Sequence, residues 1–253
     1  MRDSLRIAAS IQVRMGSGRF PGKVMRKVNG RPLLGFLIDR LRLCKTIDEI
    51  VIATSAGHDN DVIESFCSGE KIRCFRGSED DVLGRTLGAL ESVSAVIGVE
   101  VFGDCPLIDP TIVDDAVRLF LSDPEYDFVG NDLKTTFPPG MEVEVFSVAA
   151  LSKSDRLVSI GDPVREHGTL FIRQSPEIYR LKNIEAPANH FRPDMELEVD
   201  TVEDFAVVAS VIEHFAGRVD FSLDEIILFL DAHPQITETN RHIQRRWREY
   251  RLD

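Results

Sequence analysis

The chain has 253 residues, a hydrophobic content of 43% and a formal net charge of −12. It is long enough for one large α/β domain or two small ones with a sizeable core, and it has no apolar run of about 18 residues that would predict a transmembrane helix. The acidic balance argues against general nucleic-acid binding, because that function needs a basic surface to face phosphates.

Strand-like and helix-like segments alternate through the first half of the chain. Apolar runs predict strands at residues 5–13, 47–54, 71–75 and 94–102. Helical spacing is found between them, at residues 31–44, 60–68 and 79–93. This alternation predicts an α/β fold with a mainly parallel central sheet and helices on both faces, and a ligand site beyond the carboxyl ends of the strands.

The second half begins with a helix at 108–121, for which Asp109 is the expected N-cap. YDFVG and EVEVFSV are expected strands, and LEVDTVEDF is read as a short strand that leads into a helix. Capping pairs are predicted at two later helices, Thr201 with Asp204 and Ser222 with Glu225. We expect a single domain over 1–253, with a substrate-covering or dimerisation insertion at about 130–195 and a helical C-terminal tail at about 222–253.

The first residues of the chain and its cysteines indicate the cellular compartment that we expect. The first residues, MRDSLRIAAS, lack the basic and apolar regions of a signal peptide. The four cysteines show no C-x-x-C spacing, so no structural zinc site is expected. We expect a cytoplasmic protein with reduced thiols that is not bound to a membrane.

The loop QVRMGSGRFPGKV follows the first predicted strand directly. It is not a Walker loop, because Val24 replaces the metal-binding Ser or Thr. It is not a dinucleotide fingerprint either, because Pro21 stands where the third glycine belongs. Its glycines still allow backbone N–H groups to approach an anion closely. The open alternatives are a nucleotide loop of another kind and a plain basic turn.

Basic residues are concentrated in and after this loop. Between residues 14 and 31 the chain has six basic residues and no acidic one, namely Arg14, Arg19, Lys23, Arg26, Lys27 and Arg31. A local cationic patch on an acidic protein is suited to an anionic small ligand. Three of these side chains, those of Arg14, Arg19 and Lys23, are placed to neutralise phosphate oxygens.

Two aspartates follow predicted strands. Asp104 stands in GDCPLIDP and Asp200 in LEVDTVEDF. Each aspartate alone is explained by turn formation or helix capping. Together, two carboxylates at strand ends are able to share one Mg²⁺ with a triphosphate.

Four further stretches have charged side chains but weaker patterns. SEDDVLGR at 78–85 begins a predicted helix, and REH at 165–167 contains a histidine that is either a general base or a structural residue. The stretch DND at 59–61 is better explained by helix capping than as a metal motif. The basic stretch NRHIQRRWREYR is interpreted as a solvated or dimer-facing helix.

Taken together, these motifs resemble the cytidylyltransferase family of the spore-coat polysaccharide biosynthesis type, which is related to the acylneuraminate and 3-deoxy-manno-octulosonate cytidylyltransferases. The resemblance covers nearly the whole chain and rests on QVRMGSGRFPGKV, FRGSEDDVLGR, GDCPLIDP, MEVEVFS, REH and VDTVEDF. It implies a Rossmann-like nucleotidyltransferase fold and a homodimer. The implied reaction transfers CMP from CTP to a nonulosonate-like sugar acid, with Mg²⁺ as cofactor, for surface polysaccharide or glycan biosynthesis. Pyrophosphate is the second product.

The resemblance also implies roles for individual residues. The implied catalytic residues are Arg14, Lys23 and Asp104. The implied nucleotide-binding residues are Arg14, Gly16, Ser17, Arg19, Lys23, Ser78 and Arg85. The implied sugar-facing residues are Glu142, Arg165, Glu166 and His167, and the implied metal ligands are Asp104 and Asp200. Independently of the family, the chain has cations and carboxylates but no evident catalytic triad, which is typical of phosphoryl-type transfer.

The chain departs from the family pattern at three places. Gly18 stands where relatives commonly have Ser or Thr. EVFGDCP replaces RITGDCP, which puts Glu100 and Phe102 on the strand face of Asp104. PPGMEVEVF replaces PDGLDVEVF. The acceptor therefore does not follow from the family.

Other functions are consistent with the same residues. A cytidylyltransferase for a non-sugar or phosphorylated acceptor is one, motivated by Glu100 and Pro139. A glycosyltransferase of related sheet topology is another, and a catalytically silent nucleotide-binding protein is the third. Pyrophosphate release, nucleotide-sugar binding and CTP binding without turnover distinguish them.

Overall fold

The computed structural model describes residues 5–245. Residues 1–4 and 246–253 lie outside the described residues, and with them the end of the predicted C-terminal tail. Within residues 5–245, no helix combines the length and the apolar character that crossing a membrane requires.

One large sheet contains most of the strands. These are β1 (Ile7–Gln12), β4 (Glu49–Ser55), β5 (Arg73–Gly77), β6 (Ile97–Phe102), β7 (Phe128–Gly130), β8 (Glu144–Ser147) and β9 (Leu181–Asn183). Their order in the sheet is β5-β4-β1-β6-β8-β7-β9, and only the pairs that involve β8 are antiparallel. A separate hairpin pairs β2 (Lys27–Val28) with β3 (Arg31–Pro32). The predicted mainly parallel sheet is confirmed.

Helices cover both faces of this sheet, as predicted. They are α1 (Leu33–Leu41), α2 (Asp61–Glu70), α3 (Val82–Ser92), α4 (Pro110–Ser122), α5 (Val148–Leu157), α6 (Leu170–Gln174), α7 (Val202–His214), α8 (Leu223–Ala232) and α9 (Pro234–Thr237). Alternate side chains of β1 point to opposite faces. Ile11 packs in the core cluster with α1, α4, α7 and α8, whereas Ala8 packs in the cluster with α3 and α5.

The helix starts predicted from capping residues are confirmed. Asp109 accepts a hydrogen bond from the Thr111 N–H in the first turn of α4, with proline in the first helical position. Both capping boxes are present, Thr201 with Asp204 at α7 and Ser222 with Glu225 at α8. The Asp109 carboxylate also accepts from the first N–H of α8 at 2.7 Å, and so it joins the starts of two helices.

The short strand predicted before α7 is wrong. Residues 197–199 belong to neither sheet. Their backbone bonds instead to two loops, since the Leu197 N–H donates to the Pro139 carbonyl at 2.7 Å and the Val199 N–H to the Asp104 carbonyl at 2.8 Å. The local sequence indicates that residues 197–199 are extended, but it does not indicate which backbone groups they bond to. The consequence is functional, because this pairing puts Asp200 beside Asp104.

Residues 130–195 are not separate from the main sheet. They include β8 and β9, which lie on either side of β7, together with α5 and α6. Their interpretation as a substrate-covering or dimerisation insertion stays a prediction.

Candidate active site

Two adjoining cavities lie at the carboxyl ends of β1 and β6. Their volumes are about 480 and about 260 Å³. They share Gln12, Val13, Arg14 and Asp104, and so they form one continuous cleft. This edge of a parallel sheet is where ligands commonly bind, because the loops that follow the strands converge there.

The loop after β1 is held in place by side-chain and backbone hydrogen bonds. The Met15 N–H donates to Asn60 Oδ1 at 2.8 Å, and the Met15 carbonyl accepts from the Gly22 N–H at 2.9 Å. Gly22 has a φ of 70°, which glycine adopts at little cost. Asn60 stands at the start of α2, as predicted, but its side chain does not cap that helix. It donates instead to Ser55 Oγ, and it thereby anchors the loop.

An ion cluster occupies the smaller cavity. Lys23 Nζ lies 2.9 Å from both Asp104 Oδ2 and Asp200 Oδ1, and Arg19 donates to the other oxygen of Asp200. Burial opposes the charge on Lys23, but the two carboxylates outweigh it and raise its pKa. Lys23 is 81 residues from Asp104 and 177 residues from Asp200 in the sequence, and the fold brings the three side chains into direct contact.

Glu198 supports this cluster. Burial, followed by the charge of Asp104, raises the pKa of Glu198 well above the ordinary value. Burial also opposes ionisation of Asp200, but Lys23 and a hydrogen bond from Glu198 lower the pKa of Asp200. Asp200 is therefore a charged group that is held by two cations, Lys23 and Arg19, and by a hydrogen bond from Glu198.

The two aspartates fit a magnesium ion. They converge on one point, since a single ammonium group bonds to both. Mg²⁺ prefers hard oxygen ligands, keeps several waters and usually binds through one or two carboxylates together with substrate phosphates. Among residues 5–245, no group of three or more His, Cys, Asp and Glu side chains is arranged to hold a metal. A metal at Asp104 and Asp200 would take its other ligands from phosphate and water.

The larger cavity has an acidic inner wall. Glu100 and Glu144 occupy paired positions on β6 and β8, and both are buried. Glu144 accepts from Thr169 Oγ1 at 2.5 Å, and Arg173 Nη1 lies 3.3 Å from Glu144 and 3.1 Å from Asp132. Burial raises the pKa of Glu100 to about 7 and raises that of Glu144 well above the ordinary value.

Most of the residues predicted for the site line this cleft. They are Arg14, Ser17, Arg19, Lys23, Arg85, Asp104, Glu142, Glu166, His167 and Asp200. Gly18 also lines it, and a Cβ built there would meet no atom within 4 Å. Burial lowers the pKa of His167, and the imidazole is neutral at pH 7.

Three predicted residues do not line either cavity. Gly16 lies near Glu79, and Ser78 presents its carbonyl to the Arg85 guanidinium. Arg165 is buried and bonds to Asp81 and Asp155. Their proposed contacts with base or sugar stay predictions.

Sequence reasoning missed several lining residues. Gln12 interrupts the apolar first strand, which is a local signal, and its Oε1 accepts from Arg85 Nε at 2.9 Å. Asp132, Thr169 and Arg173 carry no such signal. They reach the cavity only because segments 25 to 41 residues apart pack together.

Comparisons with known proteins show which proteins the chain is similar to. The cytidylyltransferase family model matches residues 8–233. The chain is 34% identical over 229 residues to the spore coat polysaccharide biosynthesis protein SpsF of Bacillus subtilis, covering 88% of this chain and 93% of that protein. A cytidylyltransferase structure from Leptospira borgpetersenii superimposes with a TM-score of 0.88 at 30% identity, covering 95% of this chain and all of that one. The 8-amino-3,8-dideoxy-manno-octulosonate cytidylyltransferase of Shewanella frigidimarina is 31% identical over 119 residues, 46% of this chain and 48% of that protein.

Proposed function

Because the chain belongs to the cytidylyltransferase family and is thus a CTP-dependent nucleotidyltransferase, we propose that it transfers CMP from CTP to a sugar acid in a Mg²⁺-dependent reaction. The products are a CMP-sugar and pyrophosphate. We include in the proposal that the enzyme acts as a homodimer in the cytoplasm, in a pathway for surface polysaccharide or another glycan.

The observation that carries the proposal is the cluster of Arg19, Lys23, Asp104 and Asp200 at one end of the cleft. Two cations and two carboxylates at one point suit a triphosphate and its metal. Arg14 stands where the two cavities meet, with half of its side chain exposed. It is therefore positioned to contact a phosphate that lies between the nucleotide and the acceptor.

In the proposed reaction, an acceptor hydroxyl attacks the α-phosphorus of CTP. A new bond forms between this oxygen and the α-phosphorus, and the bond from the α-phosphorus to the bridging oxygen breaks, so that pyrophosphate leaves. Arg14, Arg19 and Lys23 neutralise the phosphate oxygens and orient them. Asp104 and Asp200 would hold Mg²⁺, which supplies further charge neutralisation when bound. The neutral His167 is the proposed acceptor of the hydroxyl proton.

Pyrophosphate release over a matrix of four NTPs and several sugar acids tests the proposal. We expect release with CTP, Mg²⁺ and a sugar acid, and a loss of at least about a hundredfold in Asp104→Asn or Asp200→Asn. Asp115→Asn is the matched control, because Asp115 is exposed on α4. Mn²⁺ binding measured by electron paramagnetic resonance in the presence of CTP should weaken in the two site variants only.

Two results would contradict the proposal. Absence of release from every pairing would leave a nucleotide-binding protein without turnover. Release with a non-sugar or phosphorylated acceptor, identified by mass spectrometry of the product, would keep the cytidylyltransferase reaction and replace the acceptor class.

A further inference from the structure

The 240–245 segment follows α9 and contacts residues that belong to the ion cluster of the smaller cavity or adjoin it. It is part of none of the helices, contrary to the solvated or dimer-facing helix predicted for this stretch. Asn240 and Arg245 are buried, with exposures of 2% and 6%. Because arginine is rarely buried unless it is paired, the role of Arg245 follows from its partners.

The partners of Arg245 are acids that lie before α7 and in its first turn. Arg245 Nη2 lies 2.8 Å from Asp204 Oδ1, and Nε lies 3.4 Å from Glu196 Oε1. Asp204 is fully buried, and Asn240 Nδ2 donates to the same Oδ1 atom at 2.9 Å. Burial opposes the charge on Arg245, but the bond to Asp204 and the charge of Glu196 outweigh it and raise the pKa of Arg245. The segment thus forms a buried ion pair with α7.

Asp204 connects this ion pair to Asp200. Its second oxygen, Oδ2, accepts from the Asp200 N–H at 3.1 Å and from the next backbone N–H at 2.8 Å. One carboxylate oxygen therefore holds the Asp200 backbone, while the other bonds to Arg245. Asn240 also donates to the carbonyl of Glu196, four residues before Asp200, at 3.1 Å. The backbone that carries the Asp200 carboxylate is thus fixed at two points.

A second contact joins the 240–245 segment to a cation of the cluster. Arg19 Nη1 donates to the Gln244 carbonyl at 3.3 Å, and Nη2 of the same guanidinium donates to Asp200. Gln244 precedes Arg245 directly, so the buried ion pair also fixes the carbonyl that accepts from Arg19. One acid and one cation of the ion cluster are therefore bonded, directly or through one residue, to this segment.

We propose that Arg245 is a positioning residue for the site of the triphosphate and its metal. This inference rests on the proposed function and adds to it a residue that lines neither cavity. Through Asp204, Arg245 fixes the Asp200 backbone. Removing a group that holds a metal ligand in this way typically costs about 10- to 100-fold in metal affinity. The contacts of the segment lead to the smaller cavity, so acceptor affinity should change little.

Titration with Mn²⁺ in the presence of CTP and without an acceptor, followed by electron paramagnetic resonance, tests the inference. No transfer takes place under these conditions, so the measured quantity is metal affinity. We expect the Mn²⁺ dissociation constant to rise by about tenfold or more in Arg245→Met. Arg245→Lys keeps the positive charge and should restore part of the affinity. Arg241→Met is the matched control, because Arg241 is exposed in the same segment and pairs with Glu238.

The fold of each variant is checked by urea unfolding, because removing the cation also weakens a buried ion pair. If Arg245→Met does not fold, Asn240→Ala replaces it. This change removes the other donor to Asp204 Oδ1 and should raise the Mn²⁺ dissociation constant in the same direction. KM values separate positioning from a general loss of structure. We expect KM to rise for CTP and to stay near the wild-type value for the sugar acid.

The outcomes separate this inference from the proposed function. If folded Arg245→Met binds Mn²⁺ as tightly as the wild type, the inference is overturned and CMP transfer stands. An equal rise in KM for CTP and for the sugar acid shows a general structural effect and also overturns it. Absence of Mn²⁺ binding by the wild type overturns the inference, and the proposed function falls with it only when pyrophosphate release is absent as well.

Discussion

Some single residues that line the cleft lower the stability of the folded protein. Glu100 is the example, because a carboxyl that is 2% exposed and incompletely bonded is held beside another acid. Burial raises its pKa to about 7. Its position in β6 could be read from the sequence, as could its departure from the family pattern. That its Oε2 atom has no hydrogen-bond partner within residues 5–245 could not be read from the sequence, since this depends on how distant segments pack.

Glu100→Gln is expected to stabilise the protein at high pH. The folded state keeps a proton on Glu100 that the unfolded chain releases near pH 4.5, so the wild type loses stability as the pH rises from about 4.5 through 7. Glutamine does not titrate, and its advantage should approach about 3 kcal/mol at pH 8 and disappear below pH 4.5. Urea unfolding of both proteins at pH 4.5 and 8 measures this difference, with Glu238→Gln as control. A variant less stable than wild type at pH 8 would contradict the assignment.

At the scale of elements, buried charges join helices that neighbour the site. Arg165 links α3 to α5, since its guanidinium lies 2.9 Å from Asp81, which caps α3, and 2.5 Å from Asp155 in α5. The hydrogen bond to Asp81 is the largest contribution to the raised pKa of Arg165, and the bond to Asp155 acts in the same direction. Family resemblance implied a sugar contact for Arg165. These contacts favour a structural role instead.

Arg165→Met is therefore expected to lower stability more than substrate binding. Removing the cation leaves two partly buried carboxylates unpaired, which costs about 3 kcal/mol. Thermal unfolding and KM for CTP and acceptor, measured below the unfolding transition, separate the two roles. A raised acceptor KM with unchanged thermal stability would restore the predicted sugar contact. Arg156→Met on the exposed side of α5 is the control.

At the scale of the whole molecule, Arg40 connects distant parts of the chain. It is 1% exposed, and it donates to the carbonyls of Ile108, Val219 and Phe221 at 2.7 to 2.9 Å. Its carbon Cζ also lies 4.1 Å from the centre of the Phe221 ring. Burial lowers the pKa of Arg40 to about 10. A single side chain of α1 thus holds the segments before α4 and α8.

Arg40→Met should destabilise the whole fold by about 3 kcal/mol or more, because three buried carbonyls lose their donors. Urea unfolding should show one shifted transition, while KM for CTP changes little because Arg40 does not line the cleft. Arg241→Met, an exposed change on the surface, is the control. A change of KM without a loss of stability would contradict this account.

The sequence by itself determined most of the elements and the helix starts. Hydrophobic periodicity and capping residues act within a few positions, and so strands β1, β4, β5 and β6 and the caps at Asp109, Thr201 and Ser222 could be predicted locally. Only the tertiary structure decided which charged side chains contact each other in the cleft. Lys23, Asp104 and Asp200 converge because residues 197–199 bond to loops instead of forming a strand. Within residues 5–245, Oε2 of Glu100 has no hydrogen-bond partner, and no local pattern encodes contacts between segments this far apart.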